Sequence, residues 1–261
     1  MTDKIRTEKT GAVGWVVFNN PARHNAVSLE MWQGADDALR GFQADDTVRL
    51  IAITGAGDKS FISGADISKF ENERAQADAV AKYDTVSTGF VEALATIEKP
   101  TVARINGYCL GGGLNVALCC DLRIASEDSQ FGIPAAKLGL GYSYKNFRRL
   151  VDVVGLANAR EITFTGERIN TTRAYEMGLV NRVVAKADLD EAVTKLTETI
   201  AGNAPLTVKA FKINALEHAK DPADRDPART RAAVKACFDS EDYVEGRRAF
   251  MEKRNPNFKG R

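Results

Sequence analysis

Asn106-Gly107-Tyr108-Cys109-Leu110-Gly111-Gly112-Gly113-Leu114-Asn115 joins a strand-like run, Val102 to Ile105, to a helix-like run, Leu114 to Cys120. Three consecutive glycines fill the joint. Without Cβ atoms, these peptides can turn sharply and come close to a ligand. The first N–H groups of a helix have no intrahelical acceptor, and the helix dipole makes that end partly positive. A strand, a glycine bend and a helix in this order predict a place for an anion, or for an oxygen that becomes one.

Outward from this bend, strands alternate with helices. Ala12 to Phe18 reads as a strand closed by Asn19-Asn20-Pro21. Ser28 stands as a candidate N-cap for a helix through Phe42, with Met31, Ala35, Leu39 and Phe42 at helical spacing. Leu50 to Thr54 is a second strand, followed by a long Gly/Ser loop from Gly55 to Asp66. Asp84 to Ile97 reads as an amphipathic helix, Thr101 to Asn106 as a third strand, Asp121 to Ala125 as a fourth, and Asn181 to Val184 as another short one. From about residue 145 the pattern is mainly helical, with Thr171 and Asp188 as candidate caps and Pro205 suited to a first helical turn. The fold class is therefore α/β, with a helical C-terminal segment. Asp221 to Pro227 reads as a charged, solvated loop, and no internal repeat is visible.

The 261 residues, 44% hydrophobic, suffice for one sizeable core. Lys+Arg total 36 and Asp+Glu 35, a net charge of +1, which gives no global attraction to nucleic acid or anionic membrane. The start is polar and mixed in charge, and no run reaches membrane-spanning length. A soluble, cytoplasmic protein is expected. Cys109, Cys119, Cys120 and Cys237 form no Cys-x-x-Cys pair and read as reduced thiols. The two histidines, His24 and His218, exclude a three-histidine metal site, and no metal is expected.

Lys59-Ser60-Phe61-Ile62-Ser63-Gly64-Ala65-Asp66-Ile67 follows one strand and the triple glycine follows another. If those strands are neighbours, one N–H from each loop can converge on a single oxygen, such as a thioester carbonyl or the enolate it becomes. Taken singly, either loop is equally well explained by glycines that only close tight turns. Gly55-Ala56-Gly57-Asp58-Lys59-Ser60 lacks the Gly before Lys that a phosphate loop needs. Gly111-x-Gly113-x-x-Val116 lacks the third glycine of a dinucleotide fingerprint, and its helix is very short.

Taken together, these segments resemble the crotonase, or enoyl-CoA hydratase/isomerase, superfamily. The matching stretches are Asn20 to Ala26, Phe61 to Ile67, Asn106 to Gly113, Phe131-Gly132-Ile133-Pro134, Ala174 to Val180, and Ser240 to Arg254. The resemblance implies a spiral of ββα units over residues 1–200 and a helical trimerisation region over 201–261. It also implies an acyl-CoA substrate with no other cofactor, and a homotrimer or dimer of trimers. By motif position, the N–H groups of Ala65 and Gly112 hold the thioester oxygen. The CoA nucleotide lies near Arg23, His24, Ala26, Ser63, Asp66 and Ile67, and a neighbouring subunit adds Phe250 and Lys253. Read from composition alone, Arg23 and Lys253 are equally ordinary surface charges, and Phe250 equally ordinary packing.

Hydratases of this superfamily place two glutamates around a water, and the matching positions here are Asn115 and Ala135. Neither can act as a base at neutral pH, and each lost acid–base group removes about 3–5 kcal/mol of catalysis. The family therefore implies hydratase or isomerase chemistry, while these two residues argue against efficient hydration. Leu138-Gly139-Leu140-Gly141-Tyr142 resembles the malonyl-type acyl-CoA decarboxylases of the superfamily, with Tyr142 at their tyrosine position. Their histidine, however, is replaced by Ala65. Decarboxylation through Tyr142 is one alternative, and a CoA-binding homologue without catalysis is another. Tyr142 reads equally well as a pocket wall, and Ser143 is a weaker candidate for contacting the acyl group.

Overall fold

The computed structural model describes residues 3–66 and 77–261, with backbone alone for 77–81. In chain order, the first elements are β1 (Ile5–Thr10), β2 (Val13–Phe18), α1 (Leu29–Ala44), β3 (Leu50–Gly55), β4 (Ser60–Ile62) and α2 (Ala77–Thr96). Next come β5 (Thr101–Ile105), β6 (Tyr108–Leu110), α3 (Gly112–Cys119), β7 (Leu122–Ser126), β8 (Gln130–Gly132) and α4 (Tyr144–Thr165). The chain ends with β9 (Ile169–Asn170), α5 (Thr171–Glu176), β10 (Arg182–Val184), α6 (Leu189–Gly202), α7 (Pro205–His218), α8 (Pro227–Phe238) and α9 (Glu241–Glu252).

Two sheets organise these elements. The larger runs β1-β2-β3-β5-β7-β10 and the smaller β4-β6-β8-β9. Apart from the β1–β2 hairpin and the β8–β9 pair, all pairings are parallel. Each turn of chain visits the larger sheet, then the smaller, then a helix: β3-β4-α2, β5-β6-α3, β7-β8-α4. Repetition of this ββα unit makes the spiral, and it stacks the bend after β4 beside the bend after β6.

Burial explains the strand sequences. All six residues of β3 are buried, as befits a central parallel strand covered on both faces. β1 exposes five of its six residues and carries Arg6, Glu8 and Lys9 along the sheet edge, which discourages pairing with another chain. The main core gathers Phe18, Met31, Leu39, Phe61, Phe90 and Phe131 between the sheets and α1–α4. A smaller core packs Val13, Leu50, Ala52, Val102 and Ile124 against Leu189, Val193 and Leu196 of α6. The helical C-terminal segment is tied back by Lys212 of α7, whose buried ammonium reaches both Asp121 oxygens at 2.7 and 2.8 Å.

Several expectations need correcting. The Gly55–Asp66 stretch is not all loop, because it holds β4. Thr171 is not a cap: the Asn170 side chain accepts from the Arg173 N–H, while the Thr171 hydroxyl donates to the Ser129 carbonyl at 2.7 Å. Ser28 and Asp188 occupy cap positions without a capping side-chain bond. Pro205 does open α7. The charged loop is more ordered than expected, since Asp226 caps α8 and Asp221 pairs with Arg148. All four thiols are free, and burial pushes that of Cys119 up to about 11. Among the described residues, no helix is long and apolar enough to cross a membrane.

Candidate active site

Parallel pairing of β4 with β6 sets Ser60 opposite Tyr108 and Ile62 opposite Cys109, so the two chains leave the small sheet side by side. Gly64 follows at φ 111° and Gly111 at φ 55°, values that L side chains rarely adopt. A Cβ placed on Gly64 would stand 4.0 Å from the Gly112 nitrogen, and one on Gly111 would stand 3.8 Å from the Gly64 Cα. Gly113 has no room for a side chain, since a Cβ there would come within 2.1 Å of the Ile62 carbonyl oxygen. The bends therefore touch, and their spacing is fixed by backbone against backbone.

Several backbone groups that flank Ala65 and Gly112 are paired. The Val27 N–H donates to the Gly64 carbonyl at 2.9 Å, and the Asp66 N–H donates to the Val27 carbonyl at 3.1 Å. On the other bend, the Gly111 N–H donates to the Gly132 carbonyl at 2.8 Å. Gly112 is the first residue of α3, where an N–H has no intrahelical acceptor. Among the described residues, neither the Ala65 nor the Gly112 N–H has a protein acceptor.

Behind Gly112 lies Trp32, whose Cζ2 would be 3.8 Å from a Cβ at that position. Its indole N–H donates to the Tyr83 hydroxyl at 2.9 Å, which in turn donates to the Val27 carbonyl at 3.1 Å. The sequence spacing places Trp32 only within the helix from Ser28 to Phe42, and it gives Tyr83 no role. One turn along α3, Asn115 is only 6% exposed, and its side-chain oxygen accepts from the Tyr142 hydroxyl at 3.2 Å. Desolvation, with the Cys119 thiol nearby, pushes the Tyr142 phenol well above its ordinary range, so it stays protonated at neutral pH. Ala135 sits half-buried in a short 3₁₀ turn, packed against the main core. The Ser143 hydroxyl accepts from the Asn146 N–H at 3.3 Å and caps α4.

The expected nucleotide-binding residues fall into two groups. Arg23, His24 and Ala26 belong to a turn laid against Ser63, whose N–H donates to the His24 carbonyl at 3.2 Å. That turn is held by buried Asn25, whose amide donates to the Ala56 and Ser60 carbonyls at 2.9 and 2.8 Å. Its oxygen accepts from the Asn20 N–H at 2.9 Å. His24 and Asn25 are both left-handed, at φ 52° and 55°, a strain these bonds sustain. Asp66 is half-buried at the far end of the same cluster, and Ile67 lies outside the described residues. Phe250 and Lys253 are elsewhere. Phe250 is 83% exposed in an apolar groove of about 790 Å³ with Phe211, Phe238 and Met251, and Lys253 ends α9. One chain alone does not bring these two to the bends.

The sequence pattern of enoyl-CoA hydratase/isomerase matches residues 8–261. The chain belongs to that family. It is 34% identical to a crotonyl-CoA hydratase of Syntrophomonas wolfei over 98% of both proteins. It is also 34% identical to a short-chain-enoyl-CoA hydratase of Clostridium acetobutylicum over 99% of both. An enoyl-CoA hydratase/carnithine racemase structure from Magnetospirillum magneticum superposes with a TM-score of 0.92 at 34% identity, covering 100% of this chain and 97% of that one. As a member of the enoyl-CoA hydratase/isomerase family, this protein is a mixed α/β acyl-CoA enzyme with the family's fold. It carries an amide side chain at position 115 and a methyl group at position 135.

Proposed function

We propose that this enzyme binds an acyl-CoA so that its thioester oxygen lies between the N–H groups of Ala65 and Gly112, and that it works by stabilising the enolate or oxyanion formed there. The observation that carries this reading is the contact of the two glycine bends, with both amides lacking a protein acceptor among the described residues. Two such donors in a sheltered site can each contribute about 3–4 kcal/mol toward the transition state. The CoA nucleotide then runs along Arg23, His24, Ala26, Ser63, Asp66 and Ile67. Phe250 and Lys253 reach it from a neighbouring copy. The exposed apolar groove among α7, α8 and α9 supports residues 201–261 as the trimerisation region of a trimer or dimer of trimers.

Hydration, the activity in the relatives' names, needs a base and an acid at the β-carbon, and Asn115 with Ala135 provides neither. A second reading, decarboxylation of a malonyl-type acyl-CoA, is favoured by the protonated Tyr142 phenol and the uncharged Asn115. The bond between the α-carbon and the carboxylate breaks, CO₂ leaves, and the electron pair becomes the thioester enolate held by the two amides. A water proton then completes the α-carbon. Incubation with crotonyl-CoA, methylmalonyl-CoA and butyryl-CoA separates the readings. CO₂ release supports decarboxylation, and rapid hydration of crotonyl-CoA refutes the argument from positions 115 and 135. Tight binding without turnover of any thioester identifies a CoA-binding homologue that has lost catalysis.

A further inference from the structure

We infer that Asn115, oriented by Tyr142, acts as a hydrogen-bond donor toward the acyl group and selects thioesters bearing an acceptor oxygen on the β-carbon. The inference rests on the thioester placement proposed above and names the substrate class of that same site.

The argument is a count of hydrogens. An asparagine amide has two donor hydrogens and one acceptor oxygen, and a neutral phenol has one donor hydrogen. The Tyr142 hydrogen is spent on the Asn115 oxygen at 3.2 Å. Among the described residues, Asn115 Nδ2 has no partner. The residue is only 6% exposed, so an unpaired amide there is costly. Turning the amide over would spend one of its hydrogens on the phenol oxygen and release the phenol hydrogen. Two donor hydrogens remain unspent either way.

Position fixes what those hydrogens meet. Asn115 lies one turn along α3 from Gly111, its N–H donating to the Gly111 carbonyl at 3.2 Å. A helical turn advances about 5.4 Å, a span comparable to that from a thioester oxygen to a substituent on the β-carbon. Ala135 supplies no acceptor. A plain hydrocarbon chain would bury these donors unmatched, whereas a β-carbonyl or β-carboxylate oxygen would pair with them, and a site built this way discriminates against the acyl group that lacks the partner. On this account Tyr142 is a positioning residue that acts through Asn115.

Calorimetric titration of the full chain with acetoacetyl-CoA, butyryl-CoA and free CoA tests the inference. Acetoacetyl-CoA is expected to bind about 5- to 10-fold more tightly than butyryl-CoA. Asn115→Leu is expected to bring that ratio to about unity while keeping butyryl-CoA affinity. Tyr142→Phe is expected to narrow the ratio without weakening butyryl-CoA, because the released amide can present its oxygen instead; a merely structural tyrosine would weaken both ligands together. If Asn115→Leu binds nothing, Tyr142→Phe decides, because the wild-type ratio also carries any binding of the acetoacetyl enolate to the two amides. Equal binding of the two thioesters by wild type, both tighter than free CoA, overturns this inference and leaves the thioester placement standing. Acyl-CoAs that bind no better than free CoA overturn both.

Discussion

Replacing Gly112 by proline removes one N–H and puts a ring methylene where its hydrogen was. Gly112 is the first residue of α3, a position that suits proline because its φ is helical and its N–H has no helix acceptor. There is space, since a Cβ at 112 meets only Trp32 Cζ2, at 3.8 Å, an ordinary contact. Gly112→Ala adds that same Cβ and keeps the N–H, so it is the control for the Cβ. Each variant is expected to change stability by about 1 kcal/mol or less, whereas loss of the donor costs about 3–4 kcal/mol of oxyanion stabilisation. Acetoacetyl-CoA reports that difference without turnover, because its enolate absorbs in the ultraviolet and the bound enolate fraction can be titrated against pH. Gly112→Pro is expected to raise the midpoint of that titration by about two to three pH units. Gly112→Ala is expected to leave it near wild type, with free CoA binding retained in both. Equal midpoints for the two variants would refute the role of the Gly112 N–H, and joint loss of CoA binding would mark the glycine as structural.

The neighbouring glycine is predicted to behave in the opposite way. Gly113→Ala puts a Cβ 2.1 Å from the Ile62 carbonyl oxygen, a backbone atom that cannot swing aside, so a loss of about 3 kcal/mol or more is expected, visible as a melting temperature lowered by several degrees; an unshifted melt would refute the contact. Glu217 tests the C-terminal helices. Its carboxylate accepts from Lys220 at 2.8 Å, from the Asp226 N–H at 2.8 Å and from Arg229 at 2.7 Å, and these partners, Lys220 foremost, hold it down at about 2 against an ordinary 4.5. Because the folded value is the lower one, the stabilisation is complete above about pH 4.5 and is lost as pH falls toward 2. The gap in melting temperature between wild type and Glu217→Gln is therefore expected to hold steady from pH 7 to 5 and close below that, and a gap indifferent to pH would contradict the pairing.

Long, uniform elements were legible in the sequence, and short ones were not. β2, β3, β5 and β7 appear as apolar runs, and α1 shows its buried stripe at Met31, Ala35 and Leu39. The smaller sheet was invisible because β4, β6 and β8 have three residues each and β9 two, too few for any alternation to register. β1 was missed for another reason: five exposed residues on an edge strand look like loop. The bends themselves were legible through their glycines. Trp32, Tyr83 and Asn25 were not, because their roles arise from partners 51, 56 and 35 positions away. The Asn115–Tyr142 bond, 27 positions apart, likewise exists only once α3 and the start of α4 are packed together.

Ile62 has no slack against Gly113, and this gives the pair of amides an all-or-nothing character. Widening the gap between them means lifting α3 off the floor of the small sheet, a motion that exposes Leu114, Val116 and Ala117 to water. The spacing of the two bends is thus set by the protein interior, and under the function proposed above a loosely fitting carbonyl must move to the amides, since they cannot close on it.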